Sequence, residues 1–149
     1  LGRPAGCDGV PMKEIVFNIR GRVPSKKNCK HIITTKQGYS MPISSGKFKQ
    51  WERYAKDTLG LQRIVNRVNM PIEKCTVSIE VIFPDMRARD LSNCAEGVMD
   101  ALVDVGILKD DNWHVVSRLD LIAIGSDKDK AGAKITIRTE DRNEETEPI

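Results

Sequence analysis

The order of hydrophobic periodicities predicts an α+β fold: one small domain with a mixed sheet and two main helices packed on it. Three observations carry this. The chain has 149 residues, the size of a single domain that buries about two-thirds of its unfolded surface. Segments with two-residue alternation occur near both ends of the sequence and in its middle. Two longer stretches with helical spacing lie between them, giving the order β, weak ββ, α, β, α, β, β.

Each element has its own signal. Residues 13–20 alternate Ile15, Phe17 and Ile19 with polar neighbours, which is a strand. Residues 31–35 and 38–43 flank a turn near Lys36-Gln37-Gly38 and read as a weak hairpin. Ser44 and Ser45 are candidate caps for a helix to about Val68. Its apolar stripe is Phe48, Trp51, Ala55, Leu59, Leu61 and Val65, Gly60 is a possible bend, and Asn69-Met70-Pro71 ends it. The clearest strand is 74–83, with Cys75, Val77, Ile79, Val81 and Phe83 on one face and Pro84 as its stop. A second helix spans about 91–105 and closes at Gly106. Residues 114–124 and 133–139 read as two more strands. Residues 1–11 are expected to be leader or cloning residues, poorly ordered, ahead of a domain over 12–139. Residues 140–149 form an acidic tail expected to be disordered.

Composition excludes several classes. Apolar residues make up 40% and charged residues 30%, and no apolar run approaches the ~20 residues of a membrane helix. No secretory signal is visible, so the expected home is the cytoplasm. Cys7, Cys29, Cys75 and Cys94 form no C-x-x-C pair and are expected to be reduced thiols. The net charge of +3 is unevenly placed. Ile15 to Trp51 holds Arg20, Arg22, Lys26, Lys27, Lys30, Lys36, Lys47 and Lys49 and no acid, so that block is +8 and the remainder −5. A phosphate backbone is the natural partner of such a block, with Lys26, Lys27 and Lys30 the best contacts. The bland alternative is a solvated surface. Tyr39 and Phe48 are the aromatics considered for base stacking, with packing the expected role. His31 and His114 receive no catalytic role.

The chemistry points to residues 85–111. On a helical wheel Asp90, Asn93, Gly97, Asp100 and Asp104 share a polar face with Glu96 at its margin, opposite Leu91, Cys94, Ala95, Val98, Leu102 and Val105. Asp90 or Asn93 could cap the helix, and Asn93 with Glu96 has the spacing of a capping box. Beyond Gly106 the chain returns through Ile107-Leu108 to Asp110-Asp111. Clustered carboxylates repel unless a cation neutralises them, and oxygen donors select hard ions such as Mg²⁺.

The stretch Phe83 to Val116 resembles the core of the RusA family of Holliday junction resolvases. Arg87, Arg89, Asp90, Leu91 and Asn93 match its strand-exit motif. Asp100-Ala101-Leu102 match its helix, and Gly106, Asp110, Asp111 and Val115 match the return. Val23-Pro24-Ser25-Lys26-Lys27-Asn28 is similar to its early loop. The resemblance implies a homodimeric, Mg²⁺-dependent endodeoxyribonuclease, with Mn²⁺ as a substitute ion. Its partner is branched DNA with four-way junctions, resolved by paired nicks in recombination and repair, and no nucleotide cofactor is expected. It assigns metal-binding catalytic roles to Asp90 and Asp111, with Asp110 adjacent. Lys26, Lys27, Asn28, Lys30, Arg87, Arg89 and Asn93 are assigned to DNA, Arg89 and Asn93 positioning either the phosphate or the loop. Two positions depart from the family pattern: Ser92 replaces a second aspartate, and Glu96 replaces a lysine. The expectation is that Glu96 supplies the missing carboxylate, so that Asp90, Glu96 and Asp111 hold the ion. The alternative is a non-catalytic protein of the same fold that binds branched DNA.

Overall fold

The computed structural model describes residues 12–25, 30–34, 36–38, 40–44 and 46–140, with backbone alone for 30–34, 40–44 and 140. Its elements are β1 (Met12–Arg20), β2 (Lys30–Thr34), β3 (Ser40–Ser44), α1 (Gly46–Val65), β4 (Cys75–Phe83), α2 (Leu91–Asp104), β5 (Val116–Ser126) and β6 (Gly132–Glu140). Each element read from the periodicities is present. The four-stranded sheet runs β1-β6-β4-β5, and β2-β3 is a separate hairpin. β6 is antiparallel to both β1 and β4, whereas β4 and β5 are parallel, so the sheet is mixed.

One sheet face is the core. Ile15, Phe17 and Ile19 of β1, Ile135 and Ile137 of β6, and Val77, Ile79 and Val81 of β4 are buried there against Ala55 and Leu59 of α1 and Val98 and Leu102 of α2. The two-residue repeat of the strands and the 3.6-residue repeat of the helices both aim at this layer. Where β6 begins beside β1, a Cβ at Gly132 would collide with the Ile19 carbonyl oxygen, so glycine is required.

The helices meet at a second glycine. A Cβ at Gly97 would stand 3.2 Å from Trp51 Cζ3 and 3.4 Å from Phe48 Cε1. Gly97 is therefore buried against α1, not on the polar face where the wheel put it, because a residue without a side chain lets another helix close in. Phe48 is part of that packing, with its ring 5.8 Å from Trp51. It is not available to stack on a base. Tyr39 lies outside the described residues.

Both helices end in Schellman turns. After α2, Gly106 N–H donates to Val103 O and Ile107 N–H to Leu102 O, with Gly106 at φ 79°. After α1, Arg67 takes the same left-handed position at φ 58°, with Arg67 N–H on Ile64 O and Val68 N–H on Arg63 O. Gly60 does not bend α1, which is continuous to Val65. Leu61 and Val65, read as part of the apolar stripe, are exposed. The stripe outlasts the sheet that could cover it. Among the described residues no helix is long and apolar enough to cross a membrane. Cys75 and Cys94 are buried, and burial pushes the Cys75 thiol up to about 11, where it is unreactive. Cys7 and Cys29 lie outside the described residues.

Candidate active site

The site is built where β4 hands over to α2 and where α2 returns to β5. Phe83 ends β4, and a short loop reaches Asp90. That loop is locked by Arg89. Its guanidinium stands 2.8 Å from Asp85 Oδ1, donates from Nη1 to the carbonyls of Asp85 and Arg87, and lies 5.2 Å from the Phe83 ring centre. The Arg87 N–H, then Arg89, hold the Asp85 carboxyl below its ordinary range. Arg87 is exposed on the same loop.

Asp90 is the N-cap of α2. Its Oδ1 accepts from Ser92 N (3.0 Å), Asn93 N (3.3 Å) and the Ser92 hydroxyl (2.7 Å). The Asn93–Glu96 capping box is therefore not the cap; the helix begins three residues earlier than that pairing needs. Ser92 is more than a neighbour. Its hydroxyl donates to Asp90, which an ionised aspartate at the same position could not do.

The return after α2 is fixed by Ile72, whose N–H donates to Ile107 O and whose carbonyl accepts from Lys109 N–H. Asp110 and Asp111 follow directly. Asp110 spends both oxygens on its own turn: Oδ1 accepts from Asp111 N (2.7 Å) and Oδ2 from Asn112 Nδ2 (3.0 Å). Asn112 Oδ1 in turn accepts from His114 N. Asp111 is exposed overall, yet partial desolvation pushes its carboxyl above the usual aspartate range. A hydrogen bond with Asp110 and the negative charges of Asp110 and Asp100 push the same way; only its own backbone N–H opposes.

Asp100 thus emerges as the helix carboxylate that acts on Asp111. The sequence put it on the correct face of α2 but did not single it out. Glu96 is exposed one turn earlier on the same helix. The expected set of Asp90, Glu96 and Asp111 is not assembled as three ligands: among the described residues no three His, Cys, Asp or Glu side chains form a group that could hold a metal ion. Asp110 and Asp100 nonetheless bring carboxylates of like charge to bear on Asp111. That chemistry suits a hard divalent ion, which takes one or two carboxylates and keeps several waters.

A second feature was missed. Trp113, 74% exposed, lies beside the aspartate turn with its ring stacked on His114 at 3.9 Å between centroids. The signal in the sequence is an aromatic directly after D-D-N. On the other flank, Lys56 bridges α1 to Asp104 of α2 at 3.1 Å. Lys49, Glu52, Arg53 and Lys56 line a shallow, open recess there. Lys26, Lys27 and Asn28 lie outside the described residues, and Lys30 is placed only as the first residue of β2.

Residues 22–138 match the family model Endodeoxyribonuclease RusA. The chain belongs to the RusA family. The match spans most of the chain and includes every residue of the site just described, so the protein carries the fold of a DNA-cutting family. Among curated proteins no match is found.

Proposed function

We propose that this RusA-family protein is a divalent-metal-dependent endonuclease that resolves four-way DNA junctions by paired nicks. The observation that carries the reading is the aspartate turn after α2: Asp110 closes it through Asp111 N–H and Asn112, and partial desolvation with the charges of Asp110 and Asp100 disfavours the Asp111 anion, beyond a helix whose N-cap is Asp90. Asp90 and Asp111 would hold the ion, with Mg²⁺ the preferred and Mn²⁺ the substitute occupant. When bound, the ion supplies a Lewis acid for the scissile phosphate and an activated water.

The chain's own residues do the rest. Ser92 and the first-turn N–H groups fix Asp90 Oδ1 and so orient the carboxylate. Asp110 ties the turn and sets the direction in which Asp111 points. Arg89 keeps the approach loop in place, while exposed Arg87 contacts phosphate. Lys26, Lys27, Lys30 and Asn28 belong to the basic block that positions the DNA backbone without reading sequence. Trp113, backed by His114, offers a stacking surface for a base unstacked at the crossover.

Incubation of a labelled immobile four-way junction and its linear duplex control, with Mg²⁺ or EDTA, tests the reading. Paired nicks near the crossover, lost in EDTA and in Asp111→Asn, are expected. Tight junction binding with no cleavage in any metal would replace it by the non-catalytic binder. That second reading is favoured by Ser92, a neutral hydroxyl where the family pattern has a carboxylate.

A further inference from the structure

At one end of the main sheet β1, β4 and β5 finish together and β6 begins. Met86 stands there, in the loop from β4 to α2. It is 86% exposed, more than any other large apolar residue among those described. The loop under it is not slack. Arg89 donates from Nη1 to the carbonyls of Asp85 and Arg87, and its guanidinium stands 2.8 Å from Asp85 Oδ1. Behind the loop, Asp127 N–H donates to Phe83 O (2.8 Å) and so ties the end of β5 to the end of β4. Ser126 Oγ donates to Met86 Sδ at 3.1 Å. The side chain is thus anchored at its sulfur while most of its surface stays in water.

The surroundings select what covers it. Arg20 and Arg22 at the end of β1, Arg87 beside Met86, and Lys128 and Lys130 in the β5–β6 turn are all exposed at this end. Three of the acids here are held by local structure: Asp85 by Arg89, Asp127 Oδ1 by the N–H groups of Asp129 and Lys130, and Asp90 by the α2 cap. Asp129 is the exposed acid of the turn. An apolar tip ringed by cations fits a partner with stacked flat rings and a polyanionic backbone. Methionine is unbranched and polarisable, and it is one of the side chains that wedge between base steps. We infer that Met86 is such a wedge: it enters the base stack at the branch point of DNA and makes the protein prefer a junction to a linear duplex. The selectivity is energetic. Opening a continuous stack costs unstacking energy, whereas at a crossover the stack is already interrupted and the same insertion costs less. Met86 precedes Asp90 by four residues on the same locked loop, so insertion also sets the adjacent DNA backbone relative to that carboxylate.

The inference rests on the junction-binding reading above, and its test needs no cleavage. A four-way junction with 2-aminopurine beside the crossover, and a linear duplex with the same label, are titrated with the full chain in EDTA. Unstacking brightens the label. Wild type should brighten the junction and not the duplex. M86A should lose the rise and bind the junction about 10-fold more weakly, the scale of leaving one methionine side chain unburied, with duplex affinity unchanged. M86L should restore both, since leucine also wedges. Three results would each overturn the inference: a rise that survives M86A, a wild type that binds the junction without a rise, or a change of mass by light scattering in M86A, which would show Met86 covered by protein. Paired nicks in Mg²⁺ from a wild type that gives no rise would remove the wedge and leave the nuclease reading. A Met86-dependent rise with no nicks in any metal would do the reverse.

Discussion

The β1 side of the molecule is satisfied and the β5 side is not. On the β1 side, Gln62 fills the strand edge, Asn66 Nδ2 reaches Val16 O, and Arg138 pairs with Glu14 at 2.9 Å. On the β5 side no strand pairs with the outer edge among the described residues, Trp113 is largely exposed, and partial desolvation, then Asp110 and Asp100, push the Asp111 carboxyl above its ordinary range. The contrast teaches where stability and function are divided. Groups paired across the sheet and α1 hold the fold, and the exposed groups beside the aspartate turn are the ones a cation or a nucleobase could reach.

The sharpest break is at Asp111. Asp111→Asn should lower junction cleavage on the order of 10³-fold, the scale of losing a metal-ligand carboxylate worth several kcal/mol in the transition state. The fold should not suffer. A carboxyl whose native value is raised loses stability as pH climbs from the ordinary aspartate range through that raised value, and the deficit persists at neutral pH. Asn removes the ionisation, so the variant should melt higher than wild type at pH 7 and equal to it in acid. Thermal melts at both pH values check the sign, and Mg²⁺ should raise the wild-type midpoint more than the variant's.

Trp113→Ala probes the same side without touching a carboxylate. Loss of a stacking surface should weaken junction binding about 10-fold, within the ~1–3 kcal/mol of a base–aromatic stack, and leave linear-duplex binding nearly unchanged. Equal affinities for wild type and variant in a titration would remove Trp113 from the DNA surface.

The β1 side should answer in stability and not in cleavage. Gln62→Ala leaves the Asn18 N–H and C=O without their side-chain partner and should cost about 1–2 kcal/mol in a urea titration. The same variant uncovers a second sheet edge, so it should also aggregate more readily than wild type. The smallest effect lies at the end of α1. Arg67 holds a left-handed conformation that glycine adopts without Cβ strain, and Arg67→Gly should add about 1 kcal/mol of stability. An unchanged urea midpoint would mean that the arginine makes good the strain elsewhere.

The periodicities found each element within a few residues because strands and helices here alternate simple patterns. They failed where burial depends on a neighbour. Leu61 and Val65 have the spacing of a core stripe, yet among the described residues nothing covers them. Gly97 has no hydrophobic side chain to report, yet it is the contact point of α1 and α2. The aspartates of the site were legible through the motif, and so was the turn at Gly106. The effect of Asp100 on Asp111 was not, although the motif includes Asp100, because it requires the return of the chain past Ile72.

The sequence alone determined the element order, the excess of positive charge over residues 15–51, the aspartate pair after a helix-ending glycine, and the family. These are properties of local pattern and composition, and each is written in consecutive residues. Only the tertiary structure decided which carboxylate crowds Asp111, that Ser92 steadies Asp90, and which sheet edge is closed. Those outcomes depend on distances between segments tens of residues apart. Gln62 and Asn18 meet across 44 positions of sequence, and no periodicity encodes a contact of that kind.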